Sequence, residues 1–171
     1  DPDSPFLEIS GLAAYKSEYP IGGGAFAGIG VSSGIECVIF ANDPTVLAGA
    51  MHFYSVKKWM RCMQIARDCR IPFIQFVESA GGDLRPRAGA AVGGMGHFAE
   101  SGRQFYEITE LSKLNIPTVT VAFGTATAGG AYQPGMSDYN IFVKNQADVA
   151  LAGPPLVCLL YTSDAADDTS R

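Results

Sequence analysis

The sequence predicts an α/β domain in which parallel strands are joined by crossover helices. Two observations carry this prediction. A helix, an Ile-Pro pair, an apolar strand and a turn ending in Gly-Gly occur twice in that order, from Ile71 and again from Ile116. A β-rich segment with a hairpin turn precedes the first copy. Because strands joined by a crossover helix run parallel, both Gly-Gly turns are expected at one edge of the sheet, where open α/β folds bind ligands.

The first elements are a hairpin and a helix. The segment "AFAGIGVSSGIECVIFAND" has two β-rich runs around Ser32-Ser33-Gly34, and this pattern predicts a hairpin that ends at Asp43-Pro44. In "SVKKWMRCMQIARDCR" the apolar residues recur at helical spacing. We therefore expect an amphipathic helix with Ser55 as its cap.

The two repeated units follow. "IPFIQFVES" is a continuous apolar run opened by a proline, which predicts a strand buried on both faces. After its Gly-Gly turn, "FAESGRQFYEITELSKL" predicts the second helix. "IPTVTVAF" is the next strand, and it leads through "TATAGGAY" into another helix. Further strands are predicted in "YNIFVK" and "DVALAGPPLV".

Composition narrows the class of protein. The 171 residues suit one domain, and a hydrophobic content of 47% with 17% charged residues argues against disorder. No apolar run is long enough to span a bilayer, so no membrane association is expected. The net charge of -5 gives no general attraction for nucleic acid. The four cysteines lack CxxC spacing, so no metal site is expected.

The Gly-Gly turns are the candidate site, and two interpretations of them stay open. Glycine lets backbone N–H groups approach a ligand closely, so amides from two turns would hold a developing oxyanion. Alternatively, the glycines only permit tight packing of strand against helix. A nucleotide cradle is disfavoured, because neither turn has the order GxGxxG or GxxxxGK[ST].

Side chains near these turns favour structural roles. His52 and His97 have no acid assigned as a partner, so a structural role is the simpler interpretation for both. Ser79 lies beside Gly-Gly but lacks the GxSxG elbow of serine hydrolases. Asp138 is expected to cap or pair rather than to react, and Tyr132 to form part of the core or of a pocket wall.

Four motifs together resemble a known enzyme family. "ANDPT", "ESAGG", "TAGGAY" and "AGPPLV" occur in the order found in the β subunit of biotin-dependent acyl-CoA carboxylases, the carboxyltransferase. The resemblance covers roughly Gly24 to Val157 and is to the N-terminal domain of that subunit. "ESAGG" stands where the family usually has "DSGG", which leaves the glycines intact. The form "AGPPLV" favours members that act on branched or longer acyl groups such as methylcrotonyl-CoA, with acetyl-CoA and propionyl-CoA as the alternatives.

The resemblance implies a fold, a reaction and a site. The fold is ClpP/crotonase-like, built of repeated ββα units. The reaction transfers a carboxyl group from carboxybiotin to the α-carbon, or vinylogous γ-carbon, of an acyl-CoA through an enolate held by backbone amides. The implied oxyanion residues are Ala80, Gly81, Gly82, Gly129 and Gly130, with Ala131 and Tyr132 as substrate-binding residues behind the second turn.

It also implies a cofactor and partners. The phosphates of coenzyme A are expected to meet Lys57, Lys58, Arg85 and Arg87, for which a solvated helix face and loop are the alternative. Biotin is expected on a separate carrier of a biotinylated α subunit. A second crotonase-like domain from another β subunit of a homo-oligomer completes the site, so we expect this chain alone to be inactive. The expected compartment is the cytoplasm, or the mitochondrial matrix in a eukaryote.

The domain organisation and two rival functions complete the expectations. Residues 1–157 are expected to form the N-terminal carboxyltransferase domain. Residues 158–171 resemble a translated sequencing adapter, so we expect a disordered or non-native tail from about Cys158. One rival is a crotonase-type hydratase, isomerase or thioester hydrolase, which needs a positioned acid or base. The other is a non-catalytic CoA-binding or assembly module.

Overall fold

A computed structural model of the chain describes residues 1–85 and 98–153. In these ranges one mixed sheet contains seven strands, with two long helices and one short one. The strands are β1 (Leu7–Glu8), β2 (Ala25–Ser32), β3 (Ile35–Asn42), β4 (Phe73–Ser79), β5 (Thr118–Thr127), β6 (Tyr139–Phe142) and β7 (Asp148–Ala150). The helices are α1 (Phe53–Cys69), α2 (Phe98–Lys113) and α3 (Tyr132–Gly135).

The predicted hairpin is β2 and β3, which pair antiparallel with Ser32 opposite Ile35. Its turn consists of Ser33 and Gly34 only, and both have positive φ, at 52° and 76°. Two successive residues with positive φ are typical of the type I′ turn, whose twist suits a two-residue hairpin. The prediction of a hairpin in this segment is confirmed.

The predicted parallel strands are also confirmed. β3, β4, β5 and β6 lie side by side and run parallel, with α1 as the crossover from β3 to β4. β7 pairs with the end of β5, parallel to it, so β5 contacts β6 along its first half and β7 along its second. The ends of β4 and β5 meet where Ser79 lies opposite Ala126. Both Gly-Gly turns therefore leave the sheet at the same edge.

The core lies between α1, α2 and one face of the sheet. Trp59 and Met63 of α1, Ile108 of α2 and Phe73 of β4 belong to one buried cluster. β4 shows the consequence, because its residues alternate between buried and more exposed, and Phe76 keeps 37% of its surface. The prediction that β4 is buried on both faces is therefore wrong for the described part of the chain, since α1 and α2 pack on the same side.

The start of α1 differs by three residues from the prediction. The N-cap is His52, and its Nδ1 accepts a hydrogen bond from Tyr54 N–H at 3.3 Å. Ser55 is the third residue of the helix, where its Oγ accepts from His52 N–H at 2.8 Å. The serine takes part in the cap from inside the helix, in the reciprocal arrangement of a capping box.

The remaining expectations concern membrane-spanning helices and residues outside the described ranges. None of the described helices has the length and apolarity needed to cross a membrane. The predicted tail from Cys158, together with Arg87 and His97, lies outside the described residues.

Candidate active site

The two Gly-Gly turns are in direct contact at the carboxyl ends of β4 and β5. A Cβ built on Gly130 would lie 2.8 Å from the Cβ of Ser79, and one built on Gly81 would lie 3.0 Å from the carbonyl oxygen of Thr127. Real Cβ atoms essentially never approach another heavy atom within 3.0 Å. The close approach of the two turns therefore requires glycine at position 130. Tight packing was one of the two interpretations that the sequence left open for these glycines.

In the first turn, hydrogen bonds distinguish the three candidate amides. Ala80 N–H donates to Ala48 O at 3.0 Å, and Gly81 N–H donates to Ser79 Oγ at 3.2 Å. Gly81 O accepts from Met51 N–H at 2.7 Å, which ties the turn to the segment before α1. Within residues 1–85 and 98–153, no group accepts a hydrogen bond from Gly82 N–H. Gly82 is thus the candidate amide of this turn that remains available to a ligand.

The second turn is shorter than the predicted helix. Ala128–Ala131 form a 3₁₀ turn, and α3 adds only four residues before Met136. Helices this short have a weak dipole, so the chemistry of this turn depends on its individual N–H groups. In a 3₁₀ turn the first two N–H groups have no partner inside the turn, because its bonds run from i to i-3. The N–H of Gly129 is one of these two.

A buried hydrogen-bond network connects the helix that follows the second turn to the sheet and to α1. Gln75 on β4 accepts from Trp59 Nε1 at 3.0 Å, and its Nε2 donates to Thr120 Oγ1 at 2.8 Å and to Gln133 O at 3.3 Å. Gln133 belongs to α3, and its side chain donates to Met51 Sδ at 3.4 Å. Residues of α1, β4, β5 and α3 are thereby joined. Gln75 was not among the residues predicted from the sequence, although a glutamine within the apolar run of β4 is a usable signal.

An ionic group fixes the segment just after Gly82. Asp83 accepts from Arg85 Nε and Nη2, both at 2.8 Å, and from Tyr19 Oη at 2.9 Å. The Arg85 guanidinium lowers the pKa of Asp83 to about 2. Burial, together with the Asp83 carboxylate, raises the pKa of Tyr19 to about 12. Arg85, a candidate phosphate ligand, therefore holds a neighbouring carboxylate of its own chain.

His52 has the structural role expected of it. Its ring stacks on Tyr19 at a centroid distance of 3.6 Å, and its side chain is fully buried. Nε2 has no hydrogen-bond partner among the described residues. Burial lowers the pKa of His52 from 6.5 to about 4, so the ring is neutral at neutral pH.

The remaining candidate residues differ in how far they are exposed and in what they contact. Lys58 is 2% exposed, and its Nζ donates to Gly22 O at 3.1 Å and Ala25 O at 2.7 Å. It therefore does not lie on a solvated helix face. Lys57 is exposed, with its Nζ 4.2 Å from the centroid of the Phe53 ring. Ala131 is buried, whereas Tyr132 is 46% exposed beside Phe105.

Ser79 and Asp138 have structural partners. Ser79 is fully buried between the two turns, where its Oγ accepts from Gly81 N–H. Asp138 accepts from Thr118 N–H and Oγ1, both at 2.8 Å, and from Ser112 Oγ. Burial opposes ionisation, but these hydrogen bonds outweigh it and lower the pKa of Asp138. Among the described residues, no group of three His, Cys, Asp or Glu side chains has the arrangement of a metal site.

Residues 1–169 match the carboxyl transferase domain family. The chain belongs to this family. A probable biotin-dependent acyl-coenzyme A carboxylase beta2 subunit of Mycobacterium tuberculosis is 46% identical over 170 residues, which are 99% of this chain and 31% of that protein. A probable mitochondrial methylcrotonoyl-CoA carboxylase beta chain of Drosophila melanogaster is 44% identical over 160 residues, which are 92% of this chain and 27% of that protein.

A solved structure agrees with the sequence relatives. The beta subunit of geranyl-CoA carboxylase from P. aeruginosa superposes with a TM-score of 0.80 at 42% identity, over 91% of this chain and 28% of that one. The predicted resemblance and the crotonase-like α/β fold are thus confirmed. The chain spans less than a third of the length of each of these relatives.

Proposed function

We propose that this carboxyl transferase domain binds an acyl-CoA and holds the oxygen of its thioester enolate during carboxyl transfer. The observation that supports this most directly is which backbone N–H groups of the two turns already have a hydrogen-bond acceptor within the chain. Gly82 and Gly129 offer N–H groups on two turns in contact, whereas the amides of Ala80 and Gly81 are already engaged within the chain. Preorganised donors of this kind are worth about 3–4 kcal/mol each in acyl-transfer sites.

The proposed role of the chain is binding, orientation and charge stabilisation. The thioester oxygen accepts hydrogen bonds from the two amides, which makes the carbon that gives up the proton more acidic; in methylcrotonyl-CoA this is the vinylogous γ-carbon. The γ-proton would pass to the ureido group of biotin once that group has released its carboxyl group, and the dienolate oxygen would keep the same two donors. Carboxybiotin, carried on a separate biotinylated subunit, would supply the carboxyl group, and we assign none of the described residues to biotin.

The proposed partners and compartment follow from the relatives. Relatives are named as beta chains of biotin-dependent or methylcrotonoyl-CoA carboxylases. We therefore propose that the longer protein forms a homo-oligomer and works with a biotinylated α subunit, in the mitochondrial matrix of a eukaryote or the cytoplasm of a bacterium. Methylcrotonyl-CoA is the proposed acyl group.

The acid–base chemistry of a hydratase fits the first turn poorly. Asp83 is the carboxylate next to Gly82, and it is engaged by Arg85 and Tyr19. Both of its oxygens already accept hydrogen bonds from these side chains, so Asp83 is poorly placed to exchange a proton with a substrate. An amide-only site agrees better with carboxyl transfer than with hydration.

A pair of matched ligands tests the amide assignment. One ligand is a methylcrotonyl thioester of CoA, and the other is the thioether of the same length, which lacks the carbonyl oxygen. We expect the thioester to shift the NMR signals of the Gly82 and Gly129 amides and the thioether to leave them in place. Equal shifts with both ligands, or shifts at Ala80 instead, would show that these amides do not bind the thioester oxygen.

The reaction itself requires the longer protein. Expressed from its complete gene and mixed with a biotinylated carrier, it is expected to carboxylate methylcrotonyl-CoA. If it binds acyl-CoA but carboxylates none of a panel of thioesters, the proposed function is wrong and a binding module is the better description.

A further inference from the structure

Met51 contacts both Gly-Gly turns and lies one residue before the cap of α1. It belongs to the buried core, with 1% of its surface exposed. Its backbone is bonded to the first turn, and its side chain reaches the second. A single buried residue therefore connects the two turns that carry the candidate amides.

The backbone of Met51 holds the first turn on both sides of Gly82. Met51 N–H donates to Gly81 O at 2.7 Å, and Met51 O accepts from Asp83 N–H at 2.8 Å. These two bonds form a parallel β-bridge, in which Met51 is paired with Gly82. In such a bridge the residue between the two bonded groups turns its own N–H and C=O to the other side. The bridge therefore fixes the direction of the Gly82 N–H without using it.

The side chain of Met51 reaches the second turn and the helix behind it. A Cβ built on Gly129 would lie 3.4 Å from Met51 Cε, which is the distance of ordinary van der Waals contact. Met51 Sδ accepts from Gln133 Nε2 at 3.4 Å. Gln133 is fully buried in α3, and its backbone oxygen accepts from Thr120 Oγ1 at 3.2 Å. The thioether thus has a defined position, since its sulfur and its methyl group each have a partner.

The relative position of the two amides matters for the proposed reaction. Both N–H groups must converge on one oxygen, with donors about 2.7–3.1 Å from it. A displacement of about 1 Å can lower a rate by roughly 10²-fold. Because protein interiors are close-packed, the end of the Met51 side chain determines where Gly129 lies relative to Gly82.

We propose that Met51 is a positioning residue, which sets the direction of the Gly82 N–H through its backbone and the place of the Gly129 N–H through its thioether. The inference rests on the proposed function, because convergence of the two amides matters only if one oxygen binds both. Met51 acts through these amides and has no part in the transfer of a proton or a carboxyl group.

Met51→Leu tests the thioether with little change in buried volume. The variant keeps the backbone bonds of residue 51, and swaps of Leu for Met are among the best tolerated in cores. Leucine has no sulfur to accept from Gln133, and its side chain ends one atom short of Cε. The matched control is Met63→Leu, the same change at a fully buried position of α1. Met63 lies about 15 Å along the helix from Phe53, at 1.5 Å per residue.

NMR on the chain without ligand measures the two amides directly. Residual dipolar couplings report the direction of each N–H, and we expect Met51→Leu to change that of Gly129 and keep that of Gly82. Met63→Leu should change neither. In hydrogen exchange, the bonded amides of Met51 and Asp83 should exchange slowly and that of Gly82 fast. An unchanged Gly129 coupling in Met51→Leu, the same change in Met63→Leu, a change at Gly82, or slow exchange at Gly82 would overturn the proposal.

Kinetics of the longer protein provide a readout that a loss of folded protein would not reproduce. Removing one oxyanion donor lowers kcat by about 10²–10³, so a displaced donor in Met51→Leu is expected to lower kcat by at least about tenfold. KM should change little, because the thioester oxygen is a small part of a large ligand. Met63→Leu should keep the kcat of the parent protein. Equal kcat values for the two variants would contradict the positioning role.

The two proposals fail in different ways. If the Gly82 and Gly129 amides respond to the thioester while Met51→Leu leaves Gly129 in place, only the positioning role is wrong. If Met51→Leu reorients the Gly129 N–H while neither amide responds to the thioester, Met51 positions the amide as proposed and the enolate site is wrong.

Discussion

Gly130→Ala tests the contact between the two turns on which the proposed site depends. The new Cβ would lie 2.8 Å from Ser79 Cβ and 3.0 Å from Ser79 Oγ, whereas ordinary contacts begin at 3.4 Å. The turns must therefore separate by roughly 0.6 Å, and Ser79 is held at the end of β4 in a fully buried position. Overpacking of this kind costs about 1–3 kcal/mol of folding free energy.

The control for this variant is Gly135→Ala, five residues further along. A Cβ on Gly135 meets nothing within 4 Å, and its φ is not positive. Both substitutions reduce the conformational entropy of the unfolded chain by the same amount, which favours folding by about 0.4–1 kcal/mol. The difference in stability between the two variants therefore isolates the contact with Ser79.

The assay is urea unfolding of the chain and both variants, with thermal unfolding as a second measure. We expect Gly130→Ala to be less stable than Gly135→Ala by about 1–3 kcal/mol, with each kcal/mol lowering the Tm by about 2–4 °C for a domain of this size. The thioester-dependent shift of the Gly129 amide should also weaken, because the turn moves. Equal stabilities of the two variants would refute the claim that the turns are in contact.

Three further predictions concern the frame around the site. Gly49 has a φ of 68°, and a Cβ there would lie 2.0 Å from Glu78 O, so Gly49→Ala should destabilise the chain by more than Gly130→Ala in the same urea assay. Gln75→Leu leaves the buried Trp59 N–H without its acceptor and should lower the free energy of unfolding by about 1–3 kcal/mol. The measurement is urea unfolding, with Gln64→Leu at an exposed position as the control, and equal effects of the two substitutions would contradict the hydrogen-bond network. The pKa of His52 is about 4 in the folded chain and 6.5 in the unfolded chain. Between pH 6.5 and pH 4 the unfolded state therefore binds a proton that the folded state does not, and the stability of the chain should fall as the pH drops through this range. In His52→Asn, which keeps a capping side chain, the part of this loss due to His52 should disappear; an unchanged pH profile would contradict the assignment.

Most of the fold was predictable because its signals are local. The hairpin follows from Ser33-Gly34, and β4 and β5 each follow from a proline-opened apolar run after an amphipathic helix. The shared edge of the two Gly-Gly turns then follows from the right-handed crossover. Burial of β4 on both faces was predicted wrongly, because an apolar run does not indicate on which side of the sheet the helices pack.

The sequence by itself determined where a backbone-only site would lie and which family the chain belongs to, since glycine positions and motif order are readable in one dimension. Only the tertiary structure decided which amides remain available. Ala80 N–H is taken by Ala48 and Lys58 by the carbonyls of Gly22 and Ala25, partners more than 30 residues away in each case. The grouping of Lys57, Arg61 and Arg103 around one groove has the same origin, because these side chains line the same cavity only when α1 and α2 pack together. Hydrogen bonds and charge clusters between distant segments depend on packing, and no local pattern of residues specifies them.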